Sequence, residues 1–235
     1  MSSEDEQLIQ ESLQRIKKER KTFLHPTFFL AIFLIIIYII LAIIGGSFLT
    51  IDPGLVQIVG LWNYAVTHWG WVWQFFTAMF VHSSLIHILI NLVFLTIYGL
   101  VAEKFVKIQG LLLTFFVSGL IGNMGSWLVF GVHTHTISSG ASGAIYGLLG
   151  LNLVILYSVS KKAWIPLLII IAIFTVAIVL SEPGINHVAH TFGIIGGLTL
   201  GYLMNKNRFF SQYKQKGFVL EEKKDSESYS NFEEE

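Results

Sequence analysis

The chain has 235 residues, of which 54% are hydrophobic and 13% are charged, and its formal net charge is zero. About a quarter of the residues of a soluble domain are charged, so this composition indicates a membrane protein, and the zero net charge gives no sign of a nucleic-acid partner. The absence of cysteine excludes disulfides and thiol catalysis. We therefore expect an all-α, polytopic protein that is integral to a lipid bilayer and binds no cofactor.

Six apolar segments are long enough to cross a bilayer, which takes roughly 20 residues per helix. Backbone polar groups must be paired in lipid, so each segment is predicted to be a helix. In chain order the segments cover residues 28–48, 81–101, 108–130, 142–159, 164–180 and 185–204. Residues 26–205 would then form a six-helix membrane domain between an N-terminal tail, residues 1–25, and a charged C-terminal tail, residues 206–235, which is expected to be disordered.

The positive charges predict the orientation of these helices. All 15 lysines and arginines lie in the two tails and in the turns after the second and fourth segments. Six crossings put these four regions on one side, and positive charge marks the cytosolic side. Both termini are therefore predicted to be cytosolic, and we expect the membrane to be a bacterial plasma membrane.

The first outer connection, residues 49–80, is long and apolar. It carries four of the six tryptophans, namely Trp62, Trp69, Trp71 and Trp73. Tryptophan favours the boundary between membrane and water. Two interpretations stay open: a loop that lies partly in the outer leaflet beside the bundle, and an ordinary aromatic belt.

The second segment contains polar side chains in "VHSSLIHILINLVFL". His87 and Asn91 are four residues apart and share one helix face, and His82 is expected on a neighbouring face nearer the outer end. Polar groups in hydrocarbon are costly, and they are usually functional or paired. A catalytic pair and a hydrogen bond that merely holds two helices together both fit this pattern.

Ser142 opens the fourth segment, in "SSGASGAIYGLLG". A helix N-terminus has free N–H groups and favours negative charge, so a serine oxygen in a tetrahedral oxyanion would find donors aimed at it. Gly140 and Gly143 would let a substrate backbone come close. An ordinary N-cap serine explains the same residues.

The sixth segment, "INHVAHTFGIIGGLTLG", places His190 one turn above a row of glycines. Glycines at four-residue spacing occur both in this segment and in the fourth: Gly193, Gly197 and Gly201, and Gly143 and Gly147. Such faces let two membrane helices approach closely. If these two faces meet, His190 reaches the level of Ser142, and histidine is the usual base for a serine nucleophile.

Together these motifs resemble those of the rhomboid family of intramembrane serine proteases. The resemblance covers about residues 28–205, and it rests on "HSSLIHILIN", on "GASG" as a G-x-S-G serine motif, and on "AHTFGIIGG" as an A-H-x-x-G-x-x-x-G motif. It implies a six-helix rhomboid bundle with its active site toward the outer side. It also implies a serine endopeptidase that cleaves single-pass membrane proteins in or near their transmembrane segments.

The resemblance also implies roles for individual residues. Ser142 matches the nucleophile and His190 its base, in a dyad without an aspartate. His87, Asn91 and the backbone N–H of Ser142 match the oxyanion hole. Tyr146, four residues after Ser142, matches the aromatic residue that stacks on the catalytic histidine.

Two further positions bear on the same resemblance. Glu103 matches a structural acid at the inner end of the second helix. Many rhomboids have Trp-Arg in the first outer connection, where this chain has Trp73-Gln74, and this departure puts the internal bonding of that connection in question.

Several alternatives stay open beside the protease. His187 is the competing base, but it lies further outward than His190. His133 and His135 could suggest a metal, but they have no carboxylate near them, and no metal site is predicted. A non-catalytic, rhomboid-like protein that binds membrane clients is the main alternative function. A small transporter is a third, although the inverted repeat that is typical of transporters is not found in the sequence.

Overall fold

The computed structural model describes residues 25–131, 135–159 and 186–206. These residues are mostly helical, and they include one two-stranded antiparallel sheet. In chain order the elements are α1 (Pro26–Gly45), α2 (Pro53–Val59), β1 (Leu61–Trp62), α3 (Asn63–Trp69), α4 (Gln74–Thr77), a 3-10 turn (Ala78–Phe80), α5 (Leu85–Glu103), α6 (Ile108–Phe130), β2 (Ile137–Ser138), α7 (Ser142–Val159) and α8 (His187–Lys206).

Three of the described helices, α1, α5 and α6, are long and apolar enough to cross a membrane. The apolar part of α7 is shorter, and α8 packs against α6 and α7. The fifth predicted segment, residues 164–180, and nearly all of both tails lie outside the described residues. A mostly helical fold with three helices that could cross a membrane is therefore confirmed, and the count of six crossings stays a prediction.

The second predicted segment begins later than expected. Residues 81–84 are not helical, because Ser83 and Leu85 pair with the outer connection: Ile51 N–H donates to Ser83 O (2.9 Å) and Leu85 N–H donates to Leu49 O (3.0 Å). Ser84 then caps α5 by accepting from His87 N–H. The placement of His82 on a helix face is therefore wrong, since this residue lies in the extended segment before α5.

The sequence did not predict the two short strands, which have two residues each. Leu61 is opposite Ser138 and Trp62 is opposite Ile137. Gly140 N–H also donates to Ala78 O (2.9 Å). The first outer connection is thus hydrogen-bonded to the chain that leads into Ser142, and it is folded rather than an open loop.

The tryptophans of this connection contact one another. The ring centroids of Trp62 and Trp69 are 5.0 Å apart, those of Trp69 and Trp71 are 5.2 Å apart, and those of Trp71 and Trp73 are 5.3 Å apart. Such a cluster fits both a loop in the outer leaflet and an aromatic belt, so both interpretations stay open.

Gln74 supplies internal bonding to the connection. Its side chain is buried, its Oε1 accepts from Trp62 N–H, and its Nε2 donates to the carbonyls of Gln57 and Ile58, each at 2.9 Å. An amide can accept and donate at once, whereas an arginine can only donate. The Trp73-Gln74 departure therefore leaves this part of the connection well bonded.

We expect Gln74→Ala to lower the melting temperature, because it leaves three backbone groups without their partner. Each polar group that is left buried and unpaired costs about 1–3 kcal/mol, and each kcal/mol shifts the Tm of a domain of this size by about 2–4 °C. Gln57→Ala is the matched control, since alanine keeps the backbone carbonyl that Gln57 contributes. The measurement is thermal melting in detergent. Equal melting temperatures for Gln74→Ala, Gln57→Ala and the wild type would contradict this role.

Candidate active site

Ser142 and His190 meet at the N-terminal ends of α7 and α8. Ser142 is the first residue of α7, and His190 lies in the first turn of α8. Ser142 Oγ is 2.8 Å from His190 Nε2, which is hydrogen-bonding distance. His190 is 8% exposed, so the contact is largely shielded from solvent. A serine hydroxyl in contact with a histidine nitrogen is the arrangement of an activated nucleophile and its base.

Glycines allow the backbones of α7 and α8 to approach closely enough for this contact. A Cβ added at Gly193 would overlap the carbonyl oxygen of Gly143, and one added at Gly197 would overlap that of Gly147. The two glycine rows therefore face each other, which is the close packing that small residues permit between membrane helices.

Tyr146 covers one face of the His190 ring. The two rings are stacked, with centroids 4.3 Å apart and an angle of 12° between their planes. Tyr146 is itself buried. The stacking fixes the plane of the imidazole and leaves its Nε2 edge directed at Ser142.

His187, the competing base, is the first residue of α8 and lies three residues before His190. It is exposed, and its ring centroid is 6.2 Å from that of His190, in an edge-on arrangement. Its neighbour Thr191 donates a side-chain hydrogen bond to the His187 carbonyl. The histidine that touches Ser142 Oγ is thus His190.

His87 lies against the chain just before the serine. A Cβ added at Gly140 would be 2.7 Å from His87 Nε2, and Gly140 has φ +118°, a conformation that favours glycine. His87 Nδ1 is 3.3 Å from Ser83 Oγ. If the Ser83 hydroxyl donates to Nδ1, the neutral ring carries its proton on Nε2, as a donor that faces the serine segment.

The side chain of Asn91 hydrogen-bonds to its own helix, α5, rather than to the segment of Ser142. Its side chain is 4% exposed, and its Nδ2 donates to the backbone carbonyl of His87 (2.9 Å). Its Oδ1 is buried and has no hydrogen-bond partner among the described residues. One amide N–H therefore holds the α5 backbone, and the second remains available for another acceptor.

His82 is fully buried beside these residues. Its Nε2 accepts from Ala141 N–H at 3.4 Å, and its ring meets that of His87 edge-on, with centroids 5.1 Å apart. It therefore supports the turn that ends at Ser142, although it precedes α5.

Glu103 lies at the far end of α5 and joins it to α1. It accepts from the backbone and hydroxyl of Thr27, and one of its oxygens is 2.6 Å from His25 Nδ1. These contacts fit the structural role that the resemblance implied.

The two histidines that were considered for a metal are not both described. His133 lies outside the described residues, and His135 stacks on Tyr64 at a centroid distance of 4.9 Å. In the part of the chain that the structure describes, no cluster of three or more side chains suited to a metal occurs. The prediction of no metal site stays a prediction.

Asn186 is a residue of this region that the sequence interpretation missed. Its Oδ1 caps α8 by accepting from Ala189 N–H (3.0 Å), and its Nδ2 donates to Ser126 Oγ (2.6 Å) and to Ser138 Oγ (2.7 Å). An asparagine directly before a helix is a known N-cap signal. That signal could have found the cap, but not the two serines.

Comparison with known proteins points to one family. Chloroplastic Rhomboid-like protein 11 of Arabidopsis thaliana is 30% identical over 151 residues, which are 57% of this chain and 53% of that protein. YdcA of Bacillus subtilis (strain 168), named as a candidate rhomboid protease, is 29% identical over 146 residues, 60% of this chain and 71% of that protein. RHOMBOID-like protein 1 of Arabidopsis thaliana is 35% identical over 147 residues, 59% of this chain and 36% of that protein.

The chain thus spans about half the length of Rhomboid-like protein 11 and about a third of RHOMBOID-like protein 1. These relatives come from a plant and a bacterium, so the bacterial plasma membrane stays a prediction. The family model of the rhomboid domain matches residues 69–207, which contain α5, α6, α7 and α8 and are more than half of the chain. With its apolar helices and this match, the chain belongs to the rhomboid family of integral membrane proteins.

Proposed function

We propose that this chain is an intramembrane serine endopeptidase that cleaves single-pass membrane proteins in or near their transmembrane segments. Ser142 is the nucleophile and His190 is its base. The observation that carries the proposal is the 2.8 Å contact between Ser142 Oγ and His190 Nε2. The protease names of YdcA and of a Toxoplasma gondii relative, Rhomboid-like protease 3, support it.

In the acylation step, Ser142 Oγ attacks the carbonyl carbon of the scissile peptide bond while its proton passes to His190 Nε2. The tetrahedral intermediate collapses, the C–N bond breaks, and His190 gives the proton to the leaving amine. Water then loses a proton to His190 and attacks the acyl-serine. Breakdown of the second intermediate returns the proton to Ser142 Oγ and releases the acid.

The oxyanion of each intermediate is stabilised at the N-terminus of α7. The backbone N–H of Ser142 points out of the first turn, where donors are unpaired and the helix dipole favours negative charge. His87 Nε2 approaches the same chain from α5, as its contact with the Gly140 position indicates. The second N–H of Asn91 would be a further donor. Donors that are already in place act without reorganisation during the reaction.

The proposed membrane arrangement is a six-crossing domain, residues 26–205, with tails 1–25 and 206–235 in the cytosol. Its support is the distribution of the 15 basic residues, together with the pairing of the outer connection with the chain next to Ser142. The dyad then opens toward the outer side. A reporter fused after Met204 should read cytosolic, and an external reading would overturn the arrangement.

The function is tested by labelling with a fluorophosphonate, which reacts with activated serines. The wild type should be labelled, and Ser142→Ala should not. Labelling of both proteins to the same extent would place the reactive group elsewhere and remove the basis of the proposal.

A further inference from the structure

The side chain of Asn186 joins three elements that surround the dyad. It caps the first turn of α8, which carries His190, and it binds Ser126 of α6 and Ser138 of β2. Ser126 is fully buried, so α6 offers a fixed anchor. One residue thereby holds the base-bearing helix against two other parts of the fold.

The orientation of this amide is determined by its partners. A backbone N–H can only donate, so the atom facing Ala189 N–H must be the side-chain oxygen. The NH₂ group then faces the two serines, and each of its hydrogens has an acceptor. Helix capping alone needs the oxygen and leaves the two serine contacts unexplained.

The spacing along the chain relates these contacts to the dyad. Asn186 precedes His190 by four residues, and Ser138 precedes Ser142 by four residues. The 2.7 Å bond between Asn186 Nδ2 and Ser138 Oγ thus ties the two segments together on the outer side of the dyad. On the other side of the dyad, Gly143 of α7 and Gly193 of α8 are in backbone contact.

We propose that Asn186 is a positioning residue that sets the distance between Ser142 Oγ and His190 Nε2. Its side-chain hydrogen bonds go to Ser126, Ser138 and Ala189, and none of them goes to Ser142 Oγ or His190 Nε2. The proposal rests on the proposed function, because a fixed distance between nucleophile and base has its effect in catalysis.

Asn186→Ser is the most informative variant. Serine caps helices about as well as asparagine, but its shorter side chain cannot reach Ser126 and Ser138. We expect kcat to fall about 10- to 100-fold, because a misplacement near 1 Å can cost about 100-fold. KM should stay unchanged, because a positioning residue acts on the distance between nucleophile and base and not on substrate binding. Asn186→Asp should keep most of the activity, because a carboxylate of the same length accepts from Ala189 N–H and from both hydroxyls.

Two further variants separate the effect of the Asn186–Ser138 hydrogen bond from the effect of losing a helix cap. Ser138→Ala should also lower kcat, and adding it to Asn186→Ser should cost little more, since both remove the same bond. Asp52→Ala removes the cap of α2, where Asp52 Oδ1 accepts from Leu55 N–H, and it should leave kcat unchanged. Thermal melting is measured for each variant, and an unchanged melting temperature means that a loss of kcat does not come from unfolding.

The ring of His190 gives a readout that does not depend on turnover. In ¹⁵N-histidine spectra of the full chain in micelles, the His190 signal is identified by its loss in His190→Ala. Ser142→Ala should shift this signal, and Asn186→Ser should shift it in the same direction. Wild-type kcat and a wild-type His190 signal in Asn186→Ser would overturn the positioning role. A wild type that neither cleaves nor labels would overturn the proposed function instead, and the spectra would still decide the role of Asn186.

Discussion

Alanine at Ser142 or at His190 is expected to abolish cleavage of a membrane-anchored reporter, whereas alanine at His187 should leave cleavage intact. The reason is the geometry of the proposed dyad, in which Ser142 Oγ lies 2.8 Å from His190 Nε2, while His187 is exposed at the first residue of α8. Loss of either member of such a unit costs on the order of 10⁶ in kcat in a soluble serine protease. The double variant should be no slower than each single variant, because nucleophile and base act together.

The measurement is cleavage in liposomes, with thermal melting of every variant. His187→Ala is the matched control, since it removes an imidazole from the same turn of α8. A folded but inactive His187→Ala together with an active His190→Ala would make the base assignment wrong. Full cleavage by Ser142→Ala would remove the protease interpretation and favour the binding of membrane clients.

The helix bounds that the sequence predicted well are those with local causes. The bounds of α6 and α7 agree with the predicted segments 108–130 and 142–159. The first turn of α6 follows the basic Lys107, and the helix ends at Phe130, directly before Gly131, which has a positive φ of 64°. A long apolar run with such ends is recognised from neighbouring residues alone.

The features that were missed depend on partners far along the chain. Residues 81–84 are extended because they pair with residues near 50, and β1 and β2 have only two residues each. Periodicity does not report such pairings. The serine partners of Asn186 and the three bonds of Gln74 likewise join residues that only the folded chain brings together.

The close approach of α7 and α8 was predicted correctly although these helices are far apart along the chain. The glycine rows of the fourth and sixth segments are visible as a four-residue period, and the structure has Gly193 against Gly143 and Gly197 against Gly147. Small residues on one face have few uses in a membrane helix other than close packing. The partner of Asn91 had no such signal, because a side-chain amide can turn to its own helix as easily as to a substrate.

His87→Ala is expected to slow cleavage about 100- to 1,000-fold, which corresponds to about 3–4 kcal/mol of lost transition-state stabilisation. His87 Nε2 lies against the Gly140 position, two residues before Ser142, and in the proposed mechanism its N–H donates to the oxyanion. An interaction made only in the transition state lowers kcat and leaves KM unchanged. His68→Ala is the matched control, because His68 is an exposed histidine that contacts Tyr64 in the outer connection.

Asn91→Ala tests how much Asn91 contributes to stabilising the oxyanion, compared with His87 and the backbone N–H of Ser142. Asn91 already donates to the His87 carbonyl, so its removal should slow cleavage less than removal of His87, through its second N–H and through the support it gives to the α5 backbone. A wild-type rate in Asn91→Ala would demote this residue to helix packing and leave His87 and the Ser142 N–H as the hole. A wild-type rate in a well-folded His87→Ala would instead show that the N-terminus of α7 stabilises the oxyanion without help from α5.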